Sequence, residues 1–135
     1  MIINVNSQSE ENGISLHLPN ISLNRNLKYK IGVRRIFCLL DDHLDESPAH
    51  DLVKLSSNLV ERSAENPDQA IVHIDYSRKS KYLSFCPSLV TYQPLRLYDL
   101  AGATFQLSLL DGRQLNFKRL FIQIEILRDD TYGWF

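Results

Sequence analysis

The residues of this chain that could do chemistry are few, and the densest group is the acidic run Asp41, Asp42, His43, Asp45 and Glu46 inside DDHLDESPAHD. Clustered carboxylates are what a hard cation takes as oxygen ligands. The run lacks the glycine and closing glutamate that an EF-hand loop places at fixed offsets, so it reads as a solvated, charged connection and no metal site is expected. His17, His50 and His73 stand at no helical or hairpin spacing that would pair them as ligands. His73, inside AIVHIDY, shares a strand face with Ile71 and Asp75 in this reading and is expected half-buried and bonded to a neighbour. A Ser-His-Asp triad has no G-x-S-x-G elbow to anchor it, and paired carboxylates for glycoside hydrolysis are equally unanchored. Five scattered glycines build no phosphate-cradling loop. The expectation is a protein with no catalytic residues, no cofactor and no small-molecule substrate, hence not an enzyme.

Cys38 (in RIFCLL) and Cys86 (in LSFCPSL) are too few and too far apart for a disulfide framework or a zinc site. Their apolar surroundings predict two buried, reduced thiols. The basic pieces RNLKYKIGVRR and SRKSKY could face nucleic acid, because cations interleaved with tyrosine on a strand make a binding face. Against that, 15 basic residues balance 16 acidic ones, and a net charge of −1 does not call for a polyanion. Lys28, Lys30 and Arg34 are therefore expected on the solvent side of a strand, and Arg78, Lys79 and Lys81 at a turn. No run approaches the ~18 apolar residues of a membrane span, and MIINVNSQSEENG lacks the basic and apolar regions of a leader. No membrane contact and a reducing site of synthesis are expected.

What must position these residues is β-structure, because apolar residues recur with period two nearly everywhere. Leu120, Ile122, Ile124 and Ile126 fall on one face, with Phe121, Gln123 and Glu125 on the other. Phe105, Leu107 and Leu109 alternate with Thr104, Gln106 and Ser108, and Asp111-Gly112 stands where a tight hairpin needs φ > 0. A β-hairpin spanning residues 104–127 is predicted, with Leu115 and Phe117 on one side as the chain leaves the turn. In YKIGVRRIFCLL, Tyr29, Ile31 and Val33 share a face, then Ile36, Cys38 and Leu40 take it over. One extra residue near Arg34-Arg35 would reconcile the two phases, which predicts a β-bulge there. Ile3 and Val5; Ile14, Leu16 and Leu18; Val53, Leu55 and Leu59; AIVHIDY; and SLVTYQPL, cut by Pro94, supply further strands. SSNLVERSAEN and LRLYDLAG, ended by Gly102, could each hold a helical turn. About eight strands at spacings of roughly 10–20 residues are the rhythm of an all-β sandwich or barrel. With 135 residues and no repeat or change of composition, one domain over 1–135 is expected. Residues 1–12 are read as an N-terminal arm. Residues 129–135 carry Tyr132, Trp134 and Phe135 as an aromatic tail, a composition suited to docking.

LRLYDLAGATFQLSLLDGRQLNFKRLFIQIEIL resembles the C-terminal end of the minor capsid (penton-type) proteins of Polinton/Maverick elements and adintovirus-like arthropod viruses. The residues that carry the likeness are Leu109, Asp111, Gly112, Leu115, Phe117 and Ile122 to Ile126. LKYKIGVRRIF is similar to the early strand of that group, LVKLSSNLVERSAEN to its middle segment, and VTYQPL to its apolar-Tyr-x-Pro stretch, in the same order along the chain. Departures lie at Leu110 and Lys118-Arg119, where the group often carries acidic and Arg-Gly-Glu residues. The resemblance implies an all-β, single jelly-roll β-sandwich of about eight antiparallel strands. It further implies a virion protein that forms a homopentamer at icosahedral vertices beside a major capsid protein. Ile2, Ile3, Tyr132, Trp134 and Phe135 are then the candidate interface residues. The competing expectation is a monomeric or trimeric β-sandwich that binds a receptor or glycan.

Overall fold

Period-two alternation resolves into nine strands and one 3-10 turn in a computed structural model, which describes residues 1–10, 13–40, 50–77 and 81–129. The strands are β1 (Ile2–Glu10), β2 (Gly13–His17), β3 (Tyr29–Leu40), β4 (His50–Ser57), β5 (Ala70–Ser77), β6 (Tyr82–Phe85), β7 (Tyr92–Pro94), β8 (Phe105–Leu109) and β9 (Phe117–Arg128). Leu100–Gly102 is the 3-10 turn, where LRLYDLAG leads to expect one. All pairings are antiparallel. The larger sheet is six-stranded in the order β2-β1-β9-β3-β6, with β7 also on β3; the smaller runs β5-β4-β8. The all-β sandwich expected from the sequence is the observed architecture. Two long-range pairings are nested, β3 with β9 and β4 with β8. Inside them β5 folds back on β4, while β6 and β7 extend the β3 edge.

The two sheets bury one shared cluster. Ile3, Val5, Ile31, Ile36, Ile122 and Ile124 come from the larger sheet, and Val53, Leu55, Ile74, Tyr76, Leu107 and Leu109 from the smaller. Gln93 of β7 ties the sheets along one side, its Nε2 donating to the carbonyls of Ala70 (3.1 Å) and Ile71 (3.0 Å). Pro94 is the last residue of its strand, as read from the sequence, and pairs with Lys30, a position open to proline because β7 is an edge. Gly32 lets the chain before β7 approach closely: a Cβ there would lie 2.6 Å from Val90 Cγ1 and 2.8 Å from the Thr91 carbonyl.

The bulge read from the sequence is present. Val33 pairs with Ile124 and Arg35 with Gln123, so Arg34 is the unpaired extra residue. Ile31 and Val33 before it, and Ile36, Cys38 and Leu40 after it, thus all reach the core.

Several expectations are corrected. The Asp111-Gly112 turn exists, with Gly112 at φ +93° and its N–H donating to the Leu109 carbonyl (3.0 Å). Asp111 Oδ1 accepts from the Arg113 N–H (2.9 Å). The flanking strands do not form the predicted hairpin, however. A short return, with Leu115 N–H donating to the Leu107 carbonyl (3.0 Å), precedes a crossover to the other sheet. Length explains this: β9 has 12 residues and β8 has 5, whereas β3 also has 12 and can pair β9 along its whole run. The N-terminus is no arm. β1 lies between β2 and β9, burying Ile3 and Val5, and the Met1 ammonium donates to the Ile126 carbonyl (2.9 Å). β4 stops at Ser57, and Leu59 is buried beyond it in a turn, where SSNLVERSAEN forms no helix. β6 was not anticipated. Cys86 follows that strand and continues its alternation, on the side of exposed Ser84 and opposite Leu83 and Phe85, so it is exposed while Cys38 is buried. His73 is exposed too, because β5 carries its own register shift opposite Leu55/Ser56, which separates the phase of Ile71 from that of Ile74 and Tyr76.

Candidate interaction surface

The larger sheet buries one face and leaves the other to solvent, and the outer face is where side chains of distant segments meet. After the bulge, the residues of β3 that point outward are Phe37 and Leu39. Phe37 pairs across to Phe121 of β9 and to Ser84 of β6; Leu39 pairs to Arg119 and Tyr82. The rings of Phe37 and Tyr82 pack with centroids 5.8 Å apart, tilted by 34°. Phe37 keeps 38% and Tyr82 58% of its surface in water, and Phe121 is half-buried. Beside them a shallow groove of about 400 Å³ is lined by Phe37, Phe121, Arg35, Ser84 and Cys86. Arg35 Nη2 approaches Cys86 Sγ at 4.0 Å. Contiguous exposed aromatics rimmed by arginine are the composition of an interface core with its polar edge.

Toward the other end of the same face the surface becomes polar. Because the bulge turns Arg34 outward, its Nη1 reaches Glu125 Oε2 at 2.6 Å. Tyr92 donates its hydroxyl to Glu125 Oε1. Lys30 Nζ lies 5.3 Å from the centre of the Tyr92 ring, a cation–π distance. Gln123 Nε2 donates to Asn4 Oδ1 at 3.1 Å. Lys30 and Arg34 are thus the solvent side of the strand, as expected. The hydrogen bonds from Tyr92 and Arg34 hold the Glu125 carboxyl below its ordinary value, and the carboxylate in turn raises the Tyr92 phenol. The proton is fixed on the phenol and the charge on the carboxylate. An acid–base pair poised for catalysis near neutrality would need both shifts reversed. Burial pushes the Cys38 thiol up to about 12, which makes it inert as a nucleophile. Among the described residues no three His, Cys, Asp or Glu side chains converge as a metal site, and no helix is long and apolar enough to cross a membrane.

The interface residues proposed from the sequence are scattered. Ile2 is exposed on the outer face of β1, whereas Ile3 is buried in the core. Tyr132, Trp134 and Phe135 lie outside the described residues, as do the acidic run with His43 and the cations Arg78 and Lys79. Asp111 and Gly112 belong to the turn beside the smaller sheet. Sequence reasoning missed Phe37, Tyr82 and Phe121 as a group. One signal was available: Phe121 is a large aromatic on the face that otherwise carries Gln123 and Glu125. No protein-family model, curated protein or solved structure matches the chain.

Proposed function

We propose that this chain is a structural virion protein, a minor capsid subunit of penton type that self-associates around icosahedral vertices next to a major capsid protein. The observation that carries the reading is the exposed aromatic group Phe37, Tyr82 and Phe121 on the outer face of a sheet whose other face already fills the core. Such a patch, left in water, invites association. The sandwich supports the reading because it supplies a stiff block with a flat outer surface. Around a symmetry axis each copy offers one surface and receives another, so contacts of this kind close into a ring. The order of sequence echoes along the chain supports the same class.

Light scattering on the purified protein tests it. The expected result is a closed oligomer, five copies on the penton reading, which falls to monomer in Phe37→Ser/Tyr82→Ser while the melting temperature is kept. A wild-type protein that stays monomeric at every concentration, alone and with its major capsid partner, overturns it. An oligomer indifferent to both substitutions removes the aromatic patch from the contact.

A further inference from the structure

The smaller sheet has an outer face as well, and it is shaped differently. On it Lys54 pairs in register with Ser108, and Ser56 with Gln106. The turn after β4 and the loop before β5 rise on one side and the Gly112 turn on the other, enclosing a cleft of about 350 Å³. That is within the ~300–1,000 Å³ range of small-molecule sites. Its lining is mostly polar, with Pro67 and Phe105 as the apolar members, unlike the aromatic groove on the larger sheet.

The walls are held in place before any ligand arrives. Gln69 has φ +55°, a conformation rare outside glycine and costly unless its surroundings impose it. They do: its N–H donates to the Asn66 carbonyl (3.3 Å), its carbonyl accepts from Ser57 N–H (3.1 Å), and its Nε2 donates to the Val60 carbonyl (2.9 Å). Asn58, in the turn after β4, ties that turn to the chain before β8, accepting from Thr104 N–H (2.8 Å) and donating to the Gly102 carbonyl (3.0 Å). Across the floor Lys54 Nζ meets Asp68 Oδ2 at 2.7 Å. Ser108 is 4% exposed, yet its hydroxyl has no hydrogen-bond partner among the described residues. Buried hydroxyls in native structures are nearly always paired, so this one calls for a group that completes it.

We propose that this cleft binds a neutral saccharide unit, with sugar hydroxyls completing Ser108 and bridging Gln106 and the Lys54–Asp68 pair. A ring hydroxyl both donates and accepts, and so do a serine hydroxyl and a glutamine amide. The ammonium donates, and the carboxylate accepts from neighbouring hydroxyls. Asp68 offsets one of the two cations that line the cleft, Lys54 and Arg62, so charge does not select the ligand and the hydroxyl and amide groups of Ser56, Gln106 and Ser108 do. An apolar ligand would leave these groups unpaired. The inference is independent of the assembly reading, because the cleft shares no residue with the aromatic patch.

Ligand-observed saturation-transfer NMR on the full chain is the test. The probes are the methyl glycosides of glucose, galactose, mannose and N-acetylglucosamine at millimolar concentration, with N-acetylneuraminate and inorganic phosphate as charged comparators. At least one neutral glycoside is expected to receive saturation. Its binding should weaken about three- to tenfold in both Ser108→Ala and Gln106→Ala, the size of one lost hydrogen bond. Neither substitution should lower the melting temperature: the first removes an unpaired hydroxyl and the second alters an exposed side chain. Saturation of none of the neutral glycosides, preference for either charged comparator, or binding unchanged in both variants overturns the proposal.

Discussion

At the scale of single residues the informative group is Glu125, a carboxylate on a sheet face that would otherwise be a minor surface detail. Its side chain retains only 13% exposure and carries hydrogen bonds from Tyr92 and Arg34. Both lower its pKa in the folded state relative to the ordinary 4.5. A depressed folded value means the stabilisation is complete above the unfolded pKa and is lost as pH falls through the folded one. Stability should therefore decline on the acid side of 4.5. Tyr92, raised from 10, gives the matching alkaline limb: its contribution is complete below 10 and lost as pH rises through the higher folded value. Glu125→Gln should cost about 1 kcal/mol at neutral pH, the scale of a charge-assisted bond near the surface. It should also flatten the acid limb. Urea midpoints across the acid range check both effects, and an acid limb as steep in the variant as in the wild type would assign the pH dependence to other carboxylates.

Elements are where sequence and structure can be compared most directly. The bulge in β3 has a sharp consequence, because Arg34 is the residue skipped between the pairs Val33–Ile124 and Arg35–Gln123. Deleting Arg34 leaves Val33, Arg35 and Ile36 in unbroken alternation opposite an unbroken β9. That deletion should keep the fold, losing the Glu125 ion pair and some local twist at about 1–2 kcal/mol. Deleting Phe37 instead swings Cys38 and Leu40 from core to solvent, and the protein should not fold. Amide-dispersed NMR spectra of the two deletions distinguish the cases; equal behaviour would mean that the register is not set here. The bulge was legible because side-chain direction has period two, and a change of phase is visible in the residues of one strand alone. The neighbours of a strand were not legible, because alternation says which face is buried and nothing about which strand lies alongside. That is why the Asp111-Gly112 turn was found while its two strands were wrongly joined. The interaction surface suffered for the same reason: Phe121 could be placed on the outer face, but Phe37 and Tyr82 come beside it only through β3 pairing both β9 and β6. The cleft was still less accessible, since Lys54 and Asp68 meet across a loop.

For the molecule as a whole, the two ends of the chain are the decisive feature. β1 and β9 are paired from Ile2–Glu125 to Asn6–Phe121, and Ile126 N–H donates to the Met1 carbonyl at 2.8 Å. The first residues are therefore a strand of the larger sheet, placed between β2 and β9. Removing residues 1–10 would withdraw Ile3 and Val5 from the core, at about 1.5–3 kcal/mol each. It would also leave β2 without its partner and open the long apolar β9 as an edge. Against a total stability of about 5–15 kcal/mol, that combination should take the truncated chain to the margin of folding. The expected outcome is an early, broad melt by circular dichroism and aggregation of much of the yield. A truncated protein that melts like the full chain would restore residues 1–10 to the role of an arm available to a neighbour. On the proposed assembly, a β1 integral to the sheet favours contact through a surface such as the aromatic outer face around Phe37 and Tyr82.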